Sequence, residues 1–325
     1  MPELPEIELL AEKLRQGCLN KPLESIAYHP GKRADALDDG PESLSVLKGA
    51  VLSDVARYGP FLFLEWGERI LSLHLAGEAQ VTLQRGKLDL PGGNYLLLRW
   101  QTGQQLLVAA PNLSSRVRLL DESASVDYLL KLGPDPLLDA HCADHLRTAM
   151  SRRRTAIRNL LLDESFVAGI GPVWCDEILF QSRVRPDIPV AELRPAERDR
   201  ILKNVHRVLE RAIRCQANPS LLPKTFLTRR KQEDGLCPVC ATALTEMPVG
   251  GKTAICCARC QAGRTEALAE ETSESQSEGL AEAKPDLMLA EIAQDGQEHG
   301  PDSPASTPDQ ETDAPGEPPR SAAPY

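Results

Sequence analysis

Phe61-Leu62-Phe63-Leu64-Glu65-Trp66-Gly67-Glu68-Arg69-Ile70-Leu71-Ser72-Leu73-His74-Leu75 holds two short apolar runs, partly alternating, with a glycine between them. Runs of that length bounded by turn residues indicate strands rather than helices. The same texture extends in both directions, over residues 51–57 before this stretch and 79–84, 95–101, 105–110 and 117–120 after it, with Gly, Pro and Asn clustered between. Such a series predicts an all-β sandwich. One amphipathic helix leads it, over residues 6–16, with Ile7, Leu10, Ala11 and Leu14 on one face.

After Leu132-Gly133-Pro134-Asp135-Pro136 the hydrophobic period changes. Residues 144–150, 154–162, 172–181 and 195–216 read as helices, the last most clearly, with Ile201, Val205, Val208, Leu209 and Ala212 at helical spacing. Pro172 and Pro195 each stand where a first helical residue is expected. Ala168-Gly169-Ile170-Gly171 forms a tight glycine turn before one of these helices. Its amides can approach a phosphate closely, although taken alone such a turn more commonly uses glycine for helix–helix geometry only.

Nine cysteines divide into two groups. Cys18, Cys142, Cys175 and Cys215 are isolated and suit reduced thiols in a reducing compartment. Cys237, Cys240, Cys257 and Cys260 form two CxxC pairs separated by sixteen residues, the pattern of a tetrahedral zinc site. Four thiolates leave no open coordination position, so the single zinc is structural. Cys256 is excluded because only Cys257 keeps the two-residue gap to Cys260. Gly250-Gly251 suits a hairpin turn and places Lys252 at its tip.

The 325-residue chain carries a net charge of −10, which argues at first sight against a nucleic-acid partner. The distribution reverses that. Residues 265–325 hold 15 Asp/Glu against 2 Lys/Arg, so the remainder is net positive, and residues 145–264 hold 21 Lys/Arg against 12 Asp/Glu. A basic second half is the footprint of a phosphate-binding surface. The acidic end, poor in aromatics, is expected to be disordered, either as a solubilising tail or as a competitor for the basic face. No stretch is long and apolar enough for a membrane span, and no secretory signal is evident.

The first residues, Met1-Pro2-Glu3-Leu4-Pro5-Glu6-Ile7-Glu8, admit two readings. Pro and Glu are ordinary helix-start residues. Alternatively, removal of Met1 leaves Pro2 as a secondary amine with a pKa of about 7.7–8.0, partly nucleophilic at neutral pH. Its adduct with an aldehyde-like carbon is a cationic iminium, an electron sink. Glu3 beside it is placed to transfer a proton.

That start, Leu132-Gly133-Pro134-Asp135-Pro136-Leu137, Arg152-Arg153-Arg154-Thr155-Ala156-Ile157-Arg158, Ala168-Gly169-Ile170-Gly171 and Cys257-Ala258-Arg259-Cys260-Gln261 occur in one order. The order resembles the formamidopyrimidine-DNA glycosylase and endonuclease VIII family of base-excision repair enzymes, over residues 1 to about 264. The resemblance implies an α+β multidomain chain. Residues 1–125 form the catalytic β-sandwich with its leading helix, 132–220 the helix–two-turn–helix DNA-binding domain, 232–264 the zinc finger and 265–325 the acidic tail. It implies a bifunctional glycosylase and abasic-site lyase, acting on double-stranded DNA with a damaged, oxidised base or an abasic site. The protein would be a monomer in the bacterial cytoplasm, associated with the nucleoid and with no membrane partner. Pro2 attacks C1′, Glu3 handles the proton at the sugar ring oxygen and Glu6 supports the site. His74, Arg154, Arg158, the Gly169 and Gly171 amides and Lys252 hold DNA.

Several positions depart from the family pattern. Pro60 stands in place of a hairpin lysine, and Pro172 in place of an asparagine after the glycine turn. Asn112 and Leu113 stand where an arginine and a phenylalanine fill the gap left by the extruded base. Gly77 or Glu78 occupies the intercalating position, and Lys252 replaces a fingertip arginine. A non-catalytic binder of damaged DNA on the same scaffold is therefore the rival reading. A zinc-ribbon adaptor for RNA or protein is a third, which leaves the N-terminal Pro-Glu unexplained.

Overall fold

The computed structural model describes residues 2–29, 41–121, 131–151, 153–229 and 235–262. The acidic segment 265–325 lies outside the described residues, as do Arg152, Arg230 and Lys231.

Eight strands build two antiparallel four-stranded sheets. One has the order β1 (Leu23–His29), β6 (Tyr95–Trp100), β7 (Gln104–Ala109), β5 (Gln80–Arg85). The other runs β2 (Asp54–Tyr58), β3 (Phe61–Trp66), β4 (Arg69–His74), β8 (Val117–Asp121). Period-2 alternation explains the packing. Leu62, Leu64, Leu71 and Leu73 face Leu96, Leu98, Leu106 and Val108 in one core, closed by Ile7, Ala11 and Leu14 of helix α1 (Leu4–Cys18). Phe61, Phe63 and Ile70 cover the opposite face of the second sheet. The seven expected strands are present with shifts of up to three residues at their ends. β1 was not expected. It is a sheet edge, and Leu23 is its one fully buried residue, so its periodicity is weak.

The second lobe packs α2 (Cys142–Met150), α3 (Ile157–Leu161), α4 (Pro172–Gln181) and α5 (Pro195–Arg214) around one apolar cluster. The helix expected over 154–162 is shorter. Ala156 bridges to Pro189, and the amides of Ile157 and Arg158 donate to the carbonyls of Ile188 and Pro186, so the chain before Ile157 is extended. Leu4 belongs to this cluster, whereas Ile7 belongs to the sandwich core. Helix α1 is thus shared between the lobes.

A buried polar node joins them as well. The Arg57 guanidinium, on β2, pairs with Asp135 and with Glu8 of α1. Asp135 also accepts the amides of Gly59 at 2.7 Å and Leu137 at 2.9 Å. Breaking such a pair strands a buried charge, a loss of about 3–5 kcal/mol.

The third part is a hairpin of β9 (Thr245–Val249) and β10 (Lys252–Cys256), turning at Gly250-Gly251, both at positive φ. It docks on the helical lobe through side chains. Arg158 donates to the Thr253 carbonyl at 2.8 Å and to Asp176 Oδ1 at 2.8 Å, and Asp176 Oδ2 accepts the Ile255 amide at 3.0 Å. Gln261 Nε2 donates to the Val184 carbonyl at 2.8 Å.

Candidate active site and metal centre

The N-terminal segment is held from three directions. Glu3 precedes α1, and its amide donates to Glu6 Oε2 at 3.0 Å, one side of a capping box. The Leu4 amide donates to the Gly169 carbonyl at 3.1 Å. The Glu3 carboxylate leaves its own helix and accepts the Val173 and Trp174 amides at 2.9 and 3.0 Å. These are free donors in the first turn of α4, where a negative charge is favoured. Pro172, as first residue of that helix, has no N–H to offer and needs none.

The glycine turn makes this approach possible. A Cβ on Gly171 would lie 2.2 Å from Glu3 Cδ, and one on Gly169 would lie 2.9 Å from the Gly59 carbonyl carbon. The turn therefore serves close packing of backbone on a carboxylate and on the β2–β3 hairpin. No protein acceptor takes the Gly169 or Gly171 amide among the described residues.

Burial dominates the proton affinity of Glu3. The residue is 6 % exposed, and desolvation pushes the carboxyl pKa up to about 7 against the pull of the two amides. Glu6 is raised too, mainly by burial. A carboxyl near 7 is poised both to give and to take a proton at neutral pH.

Pro2 and Glu3 open onto a cavity of about 590 Å³ walled by Pro60, Ala76, Gly77, Glu78, Arg158, Glu164, Gly169, Gly171, Pro172 and Lys252, among others. The two lobes and the hairpin all contribute to its wall. Of the residues expected at the site, Pro2, Glu3, Arg158, Gly169, Gly171 and Lys252 meet here. Glu6 lies behind Pro2 and lines a second cavity of about 250 Å³. His74 stands to one side, stacked on Phe61 at 4.5 Å with Nε2 3.7 Å from Glu164 Oε1. Arg154 is exposed and outside the cavity wall, and Arg158 is fully buried in the clamp on β10.

The departures are also visible. Pro60 is buried at the β2–β3 tip, its carbonyl accepting the Leu75 amide at 2.9 Å. Leu113 is fully buried in the sandwich core and is not presented to a gap in DNA, because the 3-10 turn Leu113–Arg116 tucks it between the sheets. Trp174 joins the site without a local sequence signal. Its indole Nε1 lies 3.3 and 3.2 Å from the two Glu6 oxygens.

The four cysteine sulfurs of Cys237, Cys240, Cys257 and Cys260 lie within 4.8 Å of one another. Cys237 and Cys260 Sγ are 3.7 Å apart, Cys240 and Cys257 Sγ 3.5 Å. A tetrahedral ion with metal–sulfur bonds of about 2.3 Å sets sulfurs about 3.8 Å apart, so the cluster fits one metal ion. The Val239 and Cys260 amides donate to Cys237 and Cys257 Sγ at 3.4 and 3.3 Å. Cys256 points elsewhere, to Thr245 Oγ1 at 3.5 Å.

Comparison with known proteins agrees with this architecture. The formamidopyrimidine-DNA glycosylase N-terminal domain matches residues 1–111, and the formamidopyrimidine-DNA glycosylase H2TH domain matches residues 132–221. The chain is 28 % identical over 286 residues to a formamidopyrimidine-DNA glycosylase of Symbiobacterium thermophilum, covering 80 % of this chain and 89 % of that protein. It is 27 % identical over 270 residues to the enzyme of Geobacter metallireducens, covering 80 % of this chain and all of that one. Among solved structures, MutM in complex with DNA containing carbocyclic 8-oxo-G superposes with a TM-score of 0.67 at 23 % identity, covering 81 % of this chain and all of that one. Lactococcus lactis Fpg with DNA containing an abasic site gives 0.66 at 22 %, with the same coverage. No helix among the described residues is long and apolar enough to cross a membrane.

Proposed function

The chain belongs to the formamidopyrimidine-DNA glycosylase and endonuclease VIII family, and on that premise we propose that it is a base-excision repair glycosylase with abasic-site lyase activity. The observation that carries the proposal is Pro2 and Glu3 side by side on a cavity walled by both lobes, with the Glu3 carboxyl raised to about 7.

In this scheme the Pro2 nitrogen, freed by removal of Met1, attacks C1′ of an extruded nucleotide. The bond from C1′ to the base breaks, or, at an abasic site, water leaves. Glu3 supplies the proton to the sugar ring oxygen as its bond to C1′ breaks and the C1′=N iminium of Pro2 forms; the iminium acidifies C2′, and loss of a C2′ proton to water leaves the electron pair that expels the 3′ phosphate. The Gly169 and Gly171 amides, Lys252, His74 and Arg154 serve DNA phosphates. Arg158 contributes to the same wall, mainly through its hold on β10. The cysteine cluster holds zinc in a structural role: four thiolates fill a tetrahedral ion and give the small hairpin the fixed geometry its own core cannot supply. The sandwich, helical and zinc-binding domains (residues 1–125, 132–220 and 232–264) act as one monomer on double-stranded DNA, in the bacterial cytoplasm.

Pro60 favours a narrower activity. Pro60 brings no cation of its own to the hairpin tip, so breaking an intact glycosidic bond lacks one proton-transfer partner, while an abasic site already exposes its aldehyde. Borohydride trapping on abasic DNA tests the proposal. The correctly processed protein should give a covalent adduct, Pro2→Gly or retention of Met1 should abolish or greatly reduce it, and Pro60→Lys should raise base excision more than strand cleavage. Tight binding of abasic DNA with no adduct would make the chain a damaged-DNA binder instead.

A further inference from the structure

Among the described residues, Trp174 alone is hydrogen-bonded to the side chains of both Glu3 and Glu6. Its backbone amide donates to Glu3 Oε2 at 3.0 Å, and its indole Nε1 reaches both oxygens of Glu6 at 3.3 and 3.2 Å. Glu6 Oε2 in turn accepts the Glu3 amide at 3.0 Å. The three residues close a ring through which a helix of one lobe grips the start of the chain.

The indole hydrogen bond is selective. Trp66, Trp100 and Trp174 are the chain's three tryptophans. Among the described residues the Trp66 and Trp100 Nε1 atoms are buried without a hydrogen-bond partner, whereas that of Trp174 is spent on Glu6. Trp174 is 1 % exposed and forms no part of the cavity wall, so it does not touch a ligand there.

We infer that Trp174 is a positioning residue for the N-terminal nucleophile: its indole orients Glu6, and Glu6 orients the Pro2–Glu3 peptide. The inference rests on Pro2 being the nucleophile. A planar N–H aimed between two carboxylate oxygens restrains rotation of the Glu6 side chain. The Glu6 oxygen that holds the Glu3 amide is thereby fixed, and with it the plane of the peptide that carries the Pro2 ring. Without the indole, Glu6 can rotate into the second cavity that it lines together with Lys13.

Trp174→Phe keeps the backbone amide and most of the packing but removes the indole donor. At saturating abasic DNA its adduct should form about tenfold more slowly, the factor expected for one hydrogen bond to a charged group, with the affinity for that DNA unchanged. In a Glu6→Met background the same substitution should add no further loss, because the tryptophan acts through Glu6. Additive losses, or a Trp174→Phe protein that reacts like wild type, would overturn the inference. So would equal weakening of binding and rate, the mark of a merely structural role.

A second readout needs no catalysis. In amide NMR spectra of the free protein, Trp174→Phe should move the Glu3 resonance; a Glu3 amide that stays in place refutes positioning whether or not wild type gives an adduct. Absence of the wild-type adduct alone, with the Glu3 amide shifted, overturns the Pro2 chemistry and leaves the positioning contact standing. Should Phe at 174 destabilise the fold, benzothienylalanine at the same position, which replaces N–H by sulfur at constant shape, repeats both measurements.

Discussion

Glu3 binds its proton more tightly in the folded protein than in the unfolded chain, and pH turns that into stability. Its pKa rises from 4.5 to about 7, chiefly by burial. Folding is therefore most favoured below the unfolded value, and stability is lost as pH climbs from about 4.5 through 7. The loss is of order 3 kcal/mol for Glu3 alone. Glu6 and Glu177 are shifted in the same direction, so they add to the slope. Unfolding free energy should fall between pH 5 and pH 8, and Glu3→Gln should flatten that fall. An unchanged slope in Glu3→Gln would place the titration elsewhere. At this scale the sequence was legible where neighbouring residues of the chain line the cavity together. Pro2 and Glu3 announce themselves by their position, and Lys252 by the turn before it. Trp174 did not, because its indole partner lies 168 residues away in the chain. Nor did the burial of Arg158, whose clamp on Asp176 and β10 exists only once three elements meet.

The four-cysteine hairpin is the element whose integrity, on the proposed zinc site, would depend on a bound ion. Leu244 and Ile255 offer little core beyond the cysteines, and Phe180 and Leu227 of the helical lobe complete it. Cys257→Ser should lose the metal and Cys256→Ser should retain it, measured as zinc per protein. The opposite result would reverse the ligand assignment. Strands are the elements that local sequence described best, since alternation on a half-buried sheet is a property of neighbouring residues. β1 shows the limit: an edge strand with one fully buried side chain has almost no alternation to detect. The segment before Ile157 shows another, where helix-compatible residues are held extended by carbonyls of 186 and 188 that no local window contains.

Taken whole, the molecule separates its charges along the chain. Residues 265–325 carry a net −13 and residues 145–264 a net +9. DNA affinity should be unchanged or higher when 265–325 are deleted, and it should fall with salt by counterion release. Lys252→Ala should flatten the salt dependence by about 0.9 if it neutralises one phosphate. Loss of DNA binding on deletion of the tail would contradict this division of charge. The bond from Glu3 to the amides of Val173 and Trp174 also carries a consequence for biosynthesis. Those partners stand 170 and 171 residues further along the chain. At roughly 5–20 residues per second, a ribosome delivers them roughly 10–30 s after Pro2 emerges. Through that interval the first residues have no helix to dock on. In the proposed scheme that is when Met1 is removed, so maturation comes before assembly, and a chain that misses the interval would fold with Met1 still ahead of Pro2.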